Sequence, residues 1–124
     1  MNEVAWSKHI VRFLRAQGES DLRLGRERQV WDKSRVDILT DKLAIEVDWA
    51  KKWCEAVGQS LWYADNFARA PGICLLSDDF KNDAKYIYRC QVICSKQNIE
   101  LWLVDTTKNF IIIRGDKLAL PEIA

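Results

Sequence analysis

Apolar residues recur at helical spacing over residues 3 to 17, where Val4, Ile10, Val11, Phe13 and Leu14 make most of one stripe and Gly18 ends the run. Residues 21 to 32 alternate only weakly and carry Arg23, Arg26 and Arg28, a pattern that suggests an exposed edge strand. The clearest stretch follows. Arg35 to Thr40 and Leu43 to Asp48 read as two strands joined at Asp41-Lys42. Asp-Lys is not a favoured hairpin pair, so the two-residue turn is an assumption. It makes Asp37 face Glu46 and gathers Val36, Ile38, Leu43, Ile45 and Val47 on one apolar face. Arg35, Asp37, Glu46 and Asp48 then share the other face with Leu39 and Ala44. Trp49 to Ala70 predicts a long helix, residues 73 to 77 a short buried strand, and residues 82 to 97 a helix with Ile87, Cys90, Ile93 and Cys94 inward. Ile99 to Val104 and Phe110 to Ile113 complete the strands, while Pro71 and Pro121 fall where elements end.

This order predicts a single α/β domain over residues 1–124, a mixed β-sheet flanked by helices on both faces. Composition agrees: 124 residues with 48% hydrophobic and 30% charged residues have a globular balance, not that of a disordered chain. No apolar run nears the roughly 18 residues that span a bilayer, and the first residues lack a signal peptide's features, so a cytoplasmic protein without a membrane role is expected. Cys54, Cys74, Cys90 and Cys94 lack C-x-x-C spacing and read as reduced, mostly buried thiols. A net charge of +1 argues against wholesale electrostatic binding of nucleic acid, leaving room for a local basic patch in Arg23, Arg26, Arg28, Lys33 and Arg35.

The hairpin carries the candidate chemistry. Directly opposed carboxylates such as Asp37 and Glu46, with Asp48 two residues along, repel one another and need neutralising. A divalent cation with oxygen ligands would do that, and would acidify a bound water. The plainer reading is a solvated polar face with Arg35 paired to Asp48. On the following helix Lys52, Gln59 and Tyr63 fall within about 40° of one another, placing an ammonium, an amide and a phenol on one face. An exposed face with a Lys52–Glu55 pair would explain that equally simply. Trp49 and Trp53 read as core packing, Asp78-Asp79 as a helix cap, and no phosphate-binding glycine loop is present.

Asp37, then Glu46-Val47-Asp48, then Gln59-Ser60-Leu61-Trp62-Tyr63 resemble the PD-(D/E)XK nuclease superfamily, the last being similar to the Q-x-x-x-Y helix motif of its RecB-like branch. The resemblance covers roughly residues 3 to 77 and implies a restriction-endonuclease-like fold, an α-β-β-β-α-β core followed here by an α-β-β extension. It implies Mg²⁺ or Mn²⁺ held by Asp37 and Glu46, with Glu3 as a further ligand, and Gln59 and Tyr63 orienting the site or the DNA strand; Arg35 is a candidate substrate contact through the basic segment, not through the resemblance. Two departures stand out: Asp48 occupies the place of the catalytic lysine, and Val36 that of the proline before the first Asp. Lys52 is the candidate replacement, Lys51 being turned about 100° away. The resemblance therefore implies either a metal-dependent DNA nuclease, working as a homodimer or in a larger complex, or a degenerate fold that binds protein or nucleic acid.

Overall fold

The computed structural model describes residues 2–19, 23–24, 30–32 and 34–120. Helix α1 (Glu3–Ala16) starts at Asn2, whose side chain accepts the Ala5 N–H at 3.0 Å, and ends at Gly18, which takes a positive φ of 91°. Strands β1 (Arg23–Leu24), β2 (Ile38–Leu39) and β3 (Leu43–Trp49) follow, then a 3₁₀ turn over Ala50–Lys52 and helix α2 (Trp53–Phe67). Strand β4 (Ala70–Ser77), helix α3 (Ala84–Gln97) and strands β5 (Glu100–Asp105), β6 (Phe110–Ile113) and β7 (Asp116–Ala119) complete the chain. The seven strands form one sheet in sequence order. Strands β3, β4 and β5 run parallel in its middle, and the pairs toward both edges are antiparallel.

Alternation along the central strands divides the core. Ile45, Val47, Cys74, Leu76, Trp102 and Val104 face α1, where Trp6, Ile10, Phe13 and Leu14 cover them. Ile73, Leu75 and Leu103 face the opposite layer, against Ala56 of α2 and Ile87, Cys90 and Cys94 of α3. Central strands buried on both faces explain the near-continuous apolar reading of β4. At Gly72 the side chains of both neighbouring strands close over β4: a Cβ there would lie 3.0 Å from Trp102 of β5 and 3.1 Å from Ile45 of β3.

The structure corrects the sequence reading in several places. Val4 is 52% exposed, and Trp6 takes its place in the buried stripe. Trp49 ends β3 instead of starting a helix, so Lys52 lies in the 3₁₀ turn before α2, and Ala70 and Pro71 belong to β4. Pro71 is tolerated there because β5 pairs with β4 only from Gly72 onward. The C-terminal extension has a third strand, β7, whose four residues are all exposed and so lack an apolar alternation to read. Asp83, not Asp78 or Asp79, precedes α3, and Asp79 instead accepts the Asn82 N–H at 3.1 Å. Arg26, Arg28, Lys33 and Pro121 lie outside the described residues. No helix among the described residues is long and apolar enough to cross a membrane.

The contact at Gly72 yields a stability test. Gly72→Ala is expected to lower the free energy of unfolding by about 1–3 kcal/mol through overpacking, read as a lower urea midpoint at unchanged slope.

Candidate active site

The hairpin has the register that the assumed two-residue turn at Asp41-Lys42 gives, with Ile38 opposite Ile45 and Leu39 opposite Ala44. The ladder stops there because the next pair of residues exchanges side chains for backbone. The Asp37 carboxylate accepts the Val47 N–H at 2.8 Å, and the Glu46 carboxylate accepts the Asp37 N–H at 3.4 Å. These contacts take over where strand pairing would continue. They also bend the chain at Asp37, which moves Val36 off the α1 face. Val36 packs instead with Leu39, Ala44 and Tyr63, so the sequence-predicted face of Val36, Ile38, Leu43, Ile45 and Val47 loses its first member.

Asp37 and Glu46 thus lie side by side, with Glu46 only 4% exposed. Burial, the charge of Asp37 and a hydrogen bond between the carboxyls push Glu46 up to about 10. Asp37 is also raised, mainly by burial, while the Val47 N–H and the Glu46 carboxyl pull it back and the charge of Glu3 adds to the rise. The pair therefore holds a proton at neutral pH. Asp48, buried at the end of β3, is pushed up to about 6, again chiefly by burial. The Trp49 N–H, which donates to its Oδ1 at 2.9 Å, and the charge of Lys52 oppose that rise, while Glu3 and Glu55 add to it.

Two further predicted residues reach this neighbourhood. Glu3, in the first turn of α1, is close enough to act on both Asp37 and Asp48, and its carboxylate lies 3.9 Å from the Lys52 ammonium. Lys52 pairs with Glu3, not with Glu55, and Arg35 is exposed and not paired with Asp48. A cation just before the N-terminus of α2 opposes the helix dipole, so Lys52 is not there to stabilise the helix. Tyr63 is buried under the pair: its phenol is raised mainly by burial and feels the charges of Glu46 and Asp37, with a hydrogen bond to Ser34 acting the other way. Gln59 is exposed on α2 and Lys51 lines a separate cleft of about 410 Å³ with Trp49, Asp78 and Lys85, at the carboxyl ends of β3 and β4. His9 is buried on α1 against Asn109, at 3.3 Å, which leaves it no place among the carboxylates.

The donor set fits a hard divalent cation in kind: a buried carboxylate, Glu46, beside a half-buried one, Asp37, whose mutual repulsion an ion would relieve. It is short in number, since among the described residues no three His, Cys, Asp or Glu side chains are grouped to hold an ion unaided. Two carboxylates completed by water and phosphate oxygens is the usual Mg²⁺ arrangement. Ser34 and Asp32 were not visible as site neighbours from sequence, although Asp-x-Ser signals the local turn in which Asp32 accepts the Ser34 N–H at 3.0 Å. No protein-family model, curated protein or solved structure matches the chain.

A raised carboxyl in the folded state means that the native protein binds the proton more tightly than the unfolded chain. Its stabilisation is complete below the ordinary glutamate range and disappears as pH rises toward about 10. Metal-free protein is therefore expected to lose thermal stability between pH 6.5 and pH 9, a window above the titration of Asp48. Glu46→Gln mimics the protonated side chain and removes the loss. At pH 9 the variant should exceed the wild type by more than about 1 kcal/mol, or roughly 4 °C in melting temperature. Parallel melting-pH profiles for the two proteins would contradict the shared proton.

Proposed function

We propose that this chain is a metal-dependent nuclease of the PD-(D/E)XK type, acting on DNA phosphodiesters. One observation carries the reading: Asp37 and Glu46 converge at a break in a buried hairpin, where an uncompensated pair of negative charges is unfavourable without a cation. Asp37 and Glu46 would hold a Mg²⁺ or Mn²⁺, which when bound supplies an acidified water and stabilises negative charge on a phosphate. Glu3 and Asp48 tune that position through their charges, Glu3 acting from its pair with Lys52 and not as a third ligand grouped with Asp37 and Glu46.

Lys52 takes the part of the missing lysine in this reading. Its ammonium is half exposed and tied only by a long contact to Glu3, so a phosphate arriving from solvent can compete for it. Tyr63, buried on α2 and hydrogen-bonded to Ser34, lies near enough to feel the carboxylate charges, while Gln59 and Arg35, both exposed, are available to a bound strand. Asp48 is the feature that favours the second reading, a catalytically degenerate fold that binds nucleic acid or protein. Its carboxylate sits where a cation would be needed, and it repels phosphate at any pH above about 6.

Cleavage of supercoiled plasmid with Mn²⁺, set beside calorimetric Mn²⁺ binding, separates the two. Glu46→Ala is expected to abolish both binding and nicking while the protein stays folded. Lys52→Ala should keep metal binding and lose about 10²-fold or more in rate, the scale of removing one charge-stabilising group. Full nicking by Glu46→Ala would overturn the assignment, and a wild type that neither binds metal nor nicks would favour the second reading.

A further inference from the structure

Cys90 and Cys94 stand four residues apart on the buried face of α3, and their sulfurs lie 3.7 Å from one another. Both belong to the apolar layer that holds Ile99 and Leu103. Cys94 also lines a cleft of about 430 Å³ between α3 and strands β5 and β6, with Gln91, Ser95, Glu100 and Arg114 among its other walls. The cleft thus brings the surface to Cys94, while Cys90 stays enclosed behind it. This spacing does not suit a disulfide. Side chains four apart on an α-helix have Cβ atoms about 5–6 Å apart, whereas a disulfide needs roughly 4 Å, so closing one would distort α3. It does suit a single atom held between the sulfurs. An ion about 2.3 Å from each sulfur, the length of a zinc–thiolate bond, sets them about 3.8 Å apart at a tetrahedral angle. The hydrogen bond between the thiols keeps the proton on Cys90 and lowers Cys94, against the effect of burial.

We propose that Cys90 and Cys94 bind a thiophilic cation of low coordination number, of the Cu⁺ type, which enters through this cleft. Two S–H bonds are exchanged for two metal–sulfur bonds and two protons leave to solvent, with no change of oxidation state. Paired thiolates with apolar neighbours select soft ions and reject the hard ions that suit carboxylates. The rest of the surroundings decides between soft ions. Among the described residues no third His, Cys, Asp or Glu is grouped with the pair. His9 is on α1, across the sheet, and the Glu100 carboxylate is held by the Arg114 guanidinium at 3.2 Å. A structural zinc ion would lack two of its four ligands here, whereas Cu⁺ is satisfied by two sulfurs and a small ligand from the cleft. Cys54, exposed at the start of α2, is close enough for its charge to act on Cys90 and is the competing thiol. The site is separate from the carboxylates and does not depend on the nuclease reading.

Anaerobic titration of the intact, reduced protein with Cu⁺ in competition with a chromogenic Cu⁺ chelator tests the proposal. The wild type is expected to take one Cu⁺ per chain from the chelator. Cys90→Ser and Cys94→Ser should each weaken that binding about 10²-fold, since either change leaves a single sulfur where two gripped the ion. Cys54→Ser should bind as the wild type does. X-ray absorption of the Cu⁺-loaded wild type gives a second readout that needs no variant, and two sulfur neighbours are expected around the copper. A wild type that leaves all Cu⁺ with the chelator, undiminished binding by either Cys90→Ser or Cys94→Ser, binding lost with Cys54→Ser, or a copper with fewer than two sulfur neighbours would each overturn the proposal.

Discussion

The buried contact between Asp37 and Glu46 is the constraint around which this fold is arranged. Each carboxylate accepts a backbone N–H that strand pairing would otherwise use, so the two side chains end the hairpin ladder and hold its far end in place. The same contact puts Glu46 almost out of reach of water beside a half-buried Asp37. Mutual repulsion and lost hydration are then met by retaining a proton, which is why Glu46 rises to about 10. A fold optimised only for stability would place apolar side chains here.

The surroundings extend that logic. Burial also raises Asp48, and Glu3 adds a third negative charge from α1, while Lys52 is the cation that faces them. Three elements are therefore joined at the carboxyl end of β3: the first turn of α1, the hairpin and the 3₁₀ turn ahead of α2. The parallel core strands supply rigidity beneath the site, since β3 and β4 are buried on both faces. The Asp37–Glu46 pair with Lys52 nearby is the arrangement that supports the nuclease proposal.

Much of this was legible in the sequence because turn length fixes a hairpin's register. The pairing of Ile38 with Ile45 follows from the two-residue turn assumed at Asp41-Lys42, and it brings Asp37 to Glu46. Val36 was placed on the wrong face because period-two counting assumes an unbroken strand, whereas the carboxylate contacts bend the chain at Asp37. Lys52 was assigned to a helix because helical spacing cannot distinguish an α-helical turn from a 3₁₀ turn of three residues. Strand β7 was missed because all of its side chains are exposed and no burial pattern marks it. The retained proton was invisible for a different reason: it depends on burial, which opposed charges in a sequence do not specify.

The most direct test of this account is the titration of Glu46 itself, followed by carboxyl-carbon NMR in protein labelled at glutamate and repeated with excess Mg²⁺. In metal-free protein the Glu46 carboxyl should remain protonated through pH 7 and titrate well above the ordinary glutamate range, while Mg²⁺ should bring it to the ionised form at neutral pH. A Glu46 signal that titrates near 4.5 without metal and ignores Mg²⁺ would contradict both the shared proton and the cation site built on it.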